Sequence, residues 1–207
     1  RRLDSLGFHV FAGCLTQDGR EYLAKNCSKR LVTVQLDISK NESIEAALQL
    51  VKRTIPSDKG LWGLVNNAGV AGNPCVSEMC TRDDFLTVYN VNVFGMAEMC
   101  RHFLPLIRKA RGRIVNMASV TGRIAFIMAP YTSTKWAIEA YSDVLRRELY
   151  SRGVRVSIIE AGGFVTPILN EERALSYVRP AFDRTPDEVK VAYGDVIGKC
   201  KYSMGVI

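Results

Sequence analysis

Five short runs of apolar and β-branched residues recur along the chain, and longer segments with helical character separate them. Runs of this length and composition predict β-strands. Strands that alternate with helices favour a parallel sheet with helices on both faces, because each crossover helix packs back onto the sheet. We therefore predict an α/β fold with a doubly wound parallel sheet. The predicted strands are residues 8–14, 31–36, 62–65, 114–117 and 154–160.

The stretch from Ile114 to Tyr150 shows this alternation most clearly. A strand gives way at Ser119 to a loop, and from about Pro130 apolar residues recur every three or four positions, which predicts an amphipathic helix. On the solvated side of this helix we expect Asp143 and Arg147 to pair one turn apart. The predicted apolar stripe is Ile138, Tyr141, Leu145 and Leu149.

Tyr131 and Lys135 stand at the start of that helix, four residues apart and therefore on one face. An ammonium beside a phenol lowers the phenol pKa from about 10 towards neutral pH, which suits proton transfer. The alternative is a surface tyrosine beside a solvated lysine, since this spacing also arises by chance. The motifs that accompany the pair favour the first interpretation.

Three further motifs precede Tyr131-x-x-x-Lys135 in the chain. They are Asn66-Asn67-Ala68-Gly69 after a predicted strand, Asn92-x-x-Gly95 in a predicted helix, and Ser119 after the next strand. In this order and spacing the four motifs resemble those of the short-chain dehydrogenase/reductase family. The likeness covers nearly the whole chain, from Leu6 to about Tyr193. It implies a Rossmann-type fold and hydride transfer between a nicotinamide cofactor and a carbinol or ketone.

The resemblance also implies catalytic roles for four residues. Tyr131 would be the base in oxidation and the acid in reduction, while Lys135 would lower the pKa of Tyr131 and bind the nicotinamide ribose. Ser119 would hydrogen-bond the substrate oxygen. Asn92, in a helix predicted from about Arg82 to Lys109, would hold a water of the proton relay. Without the resemblance, a helix bend or a buried hydrogen bond explains this asparagine equally well.

The family binds its cofactor at the ends of several strands. The matching residues here are Asp37, Ile38, Asn67, Ala68, Gly69, Gly162, Phe164 and Thr166, together with Tyr131 and Lys135. Asp37 would hydrogen-bond the adenine, although Asp37 or Ser39 could instead cap the helix that follows. Asn66 would tie neighbouring strands together. Ala161 replaces a proline that is usual in the family, which leaves that turn less rigid.

The end of the first predicted strand, at Cys14-Leu15, bears on the choice of cofactor. NAD-specific relatives often have an aspartate there, and NADP-specific relatives an arginine. This chain has neither, and the adjoining sequence shows no cation for a 2′-phosphate. We therefore favour NAD, with NADP as the alternative.

Certain phrases of the chain, such as GFHVFAGCL and EAYSDVLRREL, resemble the branch of the family that contains retinol, hydroxysteroid and 3-hydroxybutyrate dehydrogenases. We favour a retinoid or steroid alcohol as substrate, with 3-hydroxybutyrate as the alternative. A rival of another class is a non-catalytic nucleotide-binding or scaffolding relic. The presence of Ser119, Tyr131 and Lys135 together favours the enzyme.

The family's glycine-rich pyrophosphate loop, T-G-x-x-x-G-x-G, and the strand before it have no counterpart in the printed sequence. In the resembled fold that strand lies in the middle of the sheet. We therefore expect a polypeptide that starts at Arg1 to expose two facing strand edges, roughly 10 Å apart. The segment 167–207 would form a substrate lid.

The composition fits one globular domain spanning residues 1–207, with 47% hydrophobic and 24% charged residues. Six cysteines without a C-x-x-C spacing and two isolated histidines offer no plausible zinc set, so we expect no metal and buried thiols in a reducing compartment. Part of the net charge of +7 lies around one helix end, at Arg101, Arg108, Lys109, Arg111 and Arg113. Cations are common near a helix C-terminus, and we interpret this cluster in that way, with contact with a membrane surface or an acidic partner as the alternative. Without an aromatic stacking motif, the cluster does not predict nucleic-acid binding.

The resemblance further implies a homo-oligomer formed through the helices around 90–109 and 131–150. It also implies an intracellular enzyme, associated with the endoplasmic-reticulum membrane or, alternatively, located in mitochondria. No apolar run in the sequence approaches the length that spans a bilayer.

Overall fold

A computed structural model describes residues 1–125, 128–163 and 171–194 of the chain. Its five strands are β1 (Val10–Cys14), β2 (Leu31–Gln35), β3 (Gly63–Asn66), β4 (Arg113–Met117) and β5 (Arg155–Ile159). All strand pairs are parallel, in a two-stranded sheet β1-β2 and a three-stranded sheet β3-β4-β5. The five predicted strands and the parallel α/β fold are therefore confirmed, with small shifts at the strand ends.

Helices connect the strands and cover the sheets. They are α1 (Arg2–Ser5), α2 (Gln17–Asn26), α3 (Asn41–Thr54), α4 (Arg82–Tyr89), α5 (Met96–Lys109), α6 (Ala129–Tyr150), α7 (Glu171–Arg184) and α8 (Asp187–Tyr193). The predicted helix from Arg82 to Lys109 is confirmed in its bounds, but it contains a π-helical turn, Asn90–Gly95, between α4 and α5 that was not predicted. Such turns insert an extra residue into the helical ladder and often occur at functional sites.

The main hydrophobic core lies between β2 to β5 and the helices α3, α5 and α6. Ile114 of β4, Ile107 of α5 and Ile44 of α3 are completely buried, and each such side chain contributes roughly 1.5–3 kcal/mol to folding. The predicted stripe of α6 faces this core, with Ile138, Leu145 and Leu149 buried and Tyr141 half-buried. The hydrophobic period thus predicted the orientation of the helix that carries Tyr131 and Lys135.

The predicted ion pair on the outer face of α6 was wrong in its partner. Asp143 pairs with Arg146, three residues on, and not with Arg147. Arg146 also donates from Nε to the carbonyl of Val156 on β5 at 3.0 Å. This second bond, to a neighbouring element, explains why Arg146 is the arginine that turns towards Asp143.

A second, smaller core joins α7 to the segment that precedes α4. Cys75, Met79, Val178 and Ala181 are buried together there, and Arg184 forms an ion pair with Asp84. The sequence between Val70 and Cys80 showed no recognisable pattern, because its role is to pack against a helix about a hundred residues further on.

Four strand edges have no strand partner within the described residues, namely the outer edges of β1, β2, β3 and β5. The edges of β1 and β3 are the two that the sequence predicted to be open. Half of the Val65 side chain on β3 is exposed. Open edges on these two strands agree with the expectation drawn from the sequence.

Five cysteines lie in the described ranges, and Cys14, Cys75 and Cys100 are buried. Within the same ranges, no helix combines the length and apolar character that would let it cross a bilayer.

Candidate active site

Ser119 and Tyr131 meet beside the carboxyl end of β4. Ser119 follows the strand and caps a 3₁₀ turn, Val120–Gly122, where its hydroxyl accepts a hydrogen bond from Thr121 N at 3.3 Å. Tyr131 lies in the first turn of α6, which Pro130 helps to start because its fixed φ suits that position. Ser119 is 8% exposed, and its hydroxyl lies near enough to the Tyr131 side chain to lower the pKa of Tyr131.

Lys135 lies one turn after Tyr131, as predicted, and only 5% of it is exposed. Its Nζ donates to the carbonyl of Met117 at 2.9 Å and is 5.3 Å from the centroid of the Tyr131 ring. Burial lowers the pKa of Lys135 to about 8, because an ammonium loses hydration in this position. The surface alternative for this pair is therefore wrong.

The electrostatics of Tyr131 differ from the expectation. The sequence predicted that Lys135 lowers the pKa of Tyr131, but burial raises this pKa, and the hydrogen bond from Ser119 lowers it only in part. The physical reason is that Lys135 Nζ points to the Met117 carbonyl and lies over the phenol ring. The loss of solvation of the phenolate, which raises the pKa of Tyr131, then outweighs the attraction between the phenolate and the Lys135 ammonium.

Asn92 is 1% exposed and lies in the π-helical turn. Its side-chain amide pairs with the backbone of Val70, accepting from Val70 N and donating to Val70 O, each at 2.9 Å. It also donates to Thr134 Oγ1 at 3.1 Å. The buried hydrogen-bonding role that the sequence left open is therefore present, and the role in a water relay stays a prediction.

Thr134 is a site residue that the sequence reasoning missed. It is completely buried between Tyr131 and Lys135 along the chain, and its hydroxyl donates to the carbonyl of Tyr131 at 2.6 Å while accepting from Asn92. Gly69 packs closely against the same group of side chains, because a Cβ on Gly69 would lie 3.3 Å from Asn92 Oδ1 and 3.9 Å from Lys135 Nζ. A threonine inside a helix gives no sequence signal of its own.

Asp37 and Ile38 follow β2 at the same edge of the sheet. The Asp37 carboxylate accepts from Ser39 N at 3.0 Å and from Ser39 Oγ at 2.6 Å, and these bonds lower the pKa of Asp37. The cap interpretation was wrong, since Lys40 is the residue before α3. A Cβ on Gly95 would come within 2.6 Å of the Ile38 carbonyl oxygen, so the π-helical turn supports this loop directly.

The other predicted cofactor residues lie on the ends of β3 and β5. Asn67 and Ala68 are exposed after β3, and Gly162 after β5 has open space on its Cβ side. Phe164 and Thr166 lie outside the described residues. In α/β folds, ligands bind at the carboxyl edge of the parallel sheet. The exposed Asn67, Ala68 and Gly162 are therefore placed where a bound cofactor could contact them.

Behind the site, a buried polar chain connects β3, β4 and α6. Asn66 Nδ2 donates to Asn116 Oδ1 at 2.9 Å, and Asn116 Nδ2 donates to Ser142 Oγ at 2.8 Å. Asn66 and Asn116 also face each other in the strand register. Asn66 thus ties two neighbouring strands together, as the sequence predicted, and Asn116 extends the tie to the helix of Tyr131.

Comparison with known proteins agrees with this geometry. A family model described as short chain dehydrogenase matches residues 1–175. Over 195 residues the chain is 47% identical to retinol dehydrogenase 16 of Homo sapiens, which covers 94% of this chain and 61% of that protein. Over 194 residues it is 45% identical to 17-beta-hydroxysteroid dehydrogenase type 6 of Rattus norvegicus, with the same coverage of 94% and 61%.

Among solved structures, the chain resembles 3-ketoacyl-(acyl-carrier-protein) reductase from Brucella melitensis, complexed with NADH. The TM-score is 0.72 at 26% identity, and the match covers 84% of this chain and 71% of that one. The chain spans about three fifths of the length of the curated relatives it matches. It belongs to the short chain dehydrogenase family, in the branch of the retinol and hydroxysteroid dehydrogenases.

Proposed function

We propose that the protein that carries this chain is an NAD(P)-dependent oxidoreductase acting on a lipophilic alcohol or ketone of the retinoid or steroid class. The observation that carries this proposal is the approach of the Ser119 hydroxyl to the Tyr131 side chain, with the buried Lys135 one turn away. Two hydroxyl groups that meet beside an exposed strand end can both reach one substrate oxygen. The relatives named retinol and 17-beta-hydroxysteroid dehydrogenase support the substrate class.

In this function Tyr131 holds the proton that a carbonyl oxygen gains in reduction and an alcohol loses in oxidation. Ser119 donates a hydrogen bond to the same oxygen and stabilises the charge that develops there. Lys135 has a pKa of about 8, so near neutral pH it exchanges protons readily and can replace the one that Tyr131 transfers. Asn92 and Thr134 hold the helix start in place through Val70 and Tyr131.

A bound nicotinamide cofactor supplies or accepts the hydride. The residues that would hold it are Asp37 and Ile38 at the adenine end, Asn67 to Gly69 at the ribose, and Gly162, Phe164 and Thr166 at the nicotinamide. Open space beside Gly162 and the exposure of Asn67 and Ala68 support this assignment.

The choice between NAD and NADP depends on Arg20. The sequence favoured NAD because no cation adjoins Cys14, yet the structure brings Arg20 of α2 close enough to lower the pKa of the Cys14 thiol against the effect of burial. Its Nε is buried and has no hydrogen-bond partner among the described residues, and one Nη donates to Gln17 at 3.3 Å. We therefore include NADP as a cofactor, with Arg20 as the residue that binds the 2′-phosphate.

Substitution of Arg20 tests this choice, because the guanidinium is the charge that distinguishes the two cofactors. Arg20→Ala should weaken NADPH binding about tenfold or more and leave NADH binding within about twofold, as measured by fluorescence titration. The exposed Arg30→Ala serves as the control. Equal losses for both cofactors, or no loss for either, would remove Arg20 from the site.

We also propose a homo-oligomer formed through the α4–α6 surface. Trp136, Ala140 and Val144 form an exposed stripe at four-residue spacing on α6, and Phe94 is half-exposed nearby in the π-helical turn. Light scattering of the wild type and of Trp136→Glu tests this assembly.

The intracellular location at the endoplasmic reticulum, with mitochondria as the alternative, rests on the family resemblance, and imaging of a tagged protein tests it.

The function is tested with purified protein and a substrate panel of all-trans-retinol, a 17-hydroxysteroid and 3-hydroxybutyrate, each with NAD and with NADP. Formation of reduced cofactor with the retinoid or steroid supports the proposal. Turnover of 3-hydroxybutyrate alone would favour the alternative substrate. Cofactor binding without turnover of any alcohol or ketone would favour the non-catalytic relic.

A further inference from the structure

Three charged side chains meet next to Ser119 and form what we term the Arg123 clasp: Arg123, Glu139 and Glu160. Arg123 follows the 3₁₀ turn that Ser119 begins. Its Nη2 lies 2.8 Å from Glu139 Oε2 and 2.9 Å from Glu160 Oε1, and its Nε donates to the same Glu160 oxygen at 3.0 Å. One guanidinium thereby joins the turn after β4, helix α6 and the end of β5.

Glu139 is the buried member of the clasp. It stands one turn after Lys135 on α6 and is 4% exposed. Within the described part of the chain, neither carboxylate oxygen accepts a well-aligned hydrogen bond. Burial raises the pKa of Glu139, and Arg123 is the group that most opposes this effect. A buried carboxylate is costly unless it is paired, so Glu139 depends on Arg123.

The turn between Ser119 and Arg123 packs closely against α6. A Cβ on Gly122 would lie 3.1 Å from the Lys135 carbonyl oxygen and 3.3 Å from Glu139 Cγ, which is closer than side chains usually pack. On its other side, Val120 N donates to the Ala161 carbonyl at 2.9 Å. The turn is therefore held between the helix of Tyr131 and the segment that leads to Gly162.

We propose that the Arg123 clasp is a positioning device that keeps Ser119 in hydrogen-bonding geometry with Tyr131 during turnover. The three residues act through Ser119 and need not touch the substrate. A short turn held only by backbone bonds can slide along a helix, whereas a guanidinium paired with two carboxylates fixes its distance from two elements. A misplacement of about 1 Å at a reacting group can lower the rate about a hundredfold. This inference rests on the proposed oxidoreductase function.

The test variant is Arg123→Ala combined with Glu139→Gln. Arg123→Ala alone would leave Glu139 buried and unpaired and could unfold the protein, and the glutamine removes that charge at constant size. We expect kcat to fall about tenfold to a hundredfold, with NADH affinity and melting temperature close to those of the wild type. Arg123→Lys should recover part of the rate. Arg147 is an exposed arginine on α6, the helix that carries Glu139. Arg147→Ala serves as the control and should leave kcat unchanged.

A second measurement does not depend on turnover. Ser119 and Lys135 are the polar groups that face the Tyr131 phenol, and the bond from Ser119 lowers the pKa of Tyr131. Loss of the clasp should therefore raise this pKa, as followed by tyrosinate absorbance after subtraction of the same titration of Tyr131→Phe.

The outcomes separate the clasp from the proposed function. If the full-length wild-type protein that carries this chain turns over no substrate, the oxidoreductase proposal fails, and the titration still decides about the clasp. An unshifted titration together with a wild-type kcat in the double variant would overturn the clasp. A parallel fall of NADH affinity and melting temperature would overturn it too, because that result describes general support of the fold.

Discussion

At Tyr131 and Lys135, burial opposes the ionisation of both side chains. It raises the pKa of the phenol and lowers the pKa of the ammonium to about 8. The two pKa values therefore move apart, so near neutral pH the phenol keeps its proton while the ammonium gives up its own more readily. Residue spacing predicted that the two side chains share a face, but the solvation of that face depends on Met117, Asn92 and other residues from distant parts of the chain.

Removal of the Tyr131 hydroxyl should abolish hydride-transfer catalysis and leave cofactor binding nearly unchanged. Tyr131→Phe is expected to lower kcat by several orders of magnitude while cofactor affinity stays nearly unchanged, because the transferable proton is the group that is lost. Steady-state kinetics and a cofactor titration measure the two quantities. A variant that retains more than about a tenth of the rate would exclude this tyrosine as the acid and base.

The buried Lys135 should make stability depend on pH. Its pKa is about 8 in the folded state and close to its ordinary value of 10.5 in the unfolded state. Between these values the unfolded chain binds more protons, so stability rises with pH through this window. Below it, the buried charge costs roughly 3 kcal/mol.

Replacement of Lys135 by methionine should remove that cost. Lys135→Met should stabilise the fold by up to about 3 kcal/mol at pH 7 and by about half as much near pH 9.5, as measured by urea unfolding. The matched control is Lys25→Met, at an exposed lysine of α2. A stabilisation that is the same at both pH values would show that Lys135 is not charged and buried in the native state.

At the scale of elements, hydrophobic period predicted all five strands and the orientation of α6. It did not predict the π-helical turn, because Asn90 to Gly95 has the same apolar pattern as the helices beside it. The turn is instead stabilised by contacts that are distant in sequence, namely the bonds of Asn92 to Val70 and Thr134. The Arg123 clasp could not be predicted from the sequence either, because Arg123, Glu139 and Glu160 meet only after the chain has folded.

The polar chain behind the site should be sensitive to the loss of any one member. Ser142→Ala leaves Asn116 Nδ2 without its partner in a completely buried position, which should cost about 1–3 kcal/mol. Urea unfolding measures this loss, and the exposed Ser151→Ala at the end of α6 is the control. If Ser142→Ala unfolds like the wild type, the hydrogen bond to Asn116 contributes little to the position of α6.

At the scale of the whole molecule, the two open edges of β1 and β3 dominate the expected behaviour of this polypeptide. Each edge presents unpaired backbone N–H and C=O groups, which readily pair with other chains. We predict that the 207 residues expressed alone are poorly soluble or partly unfolded and show no measurable dehydrogenase activity. These 207 residues contain no glycine-rich loop that would bind the pyrophosphate of the cofactor. We therefore expect the same polypeptide to bind the cofactor weakly.

Edge pairing, and not general hydrophobicity, should cause the poor solubility. Val65 on β3 and Leu86 on α4 are both exposed apolar residues, but only Val65 lies on a strand with an open edge. A charged side chain on an edge strand hinders its pairing with another chain, so Val65→Lys should raise the soluble fraction, whereas Leu86→Lys should not. Equal gains from both variants would point to surface hydrophobicity. A wild-type chain that is monodisperse, melts cooperatively and binds NAD at micromolar concentration would show that these edges are protected in solution.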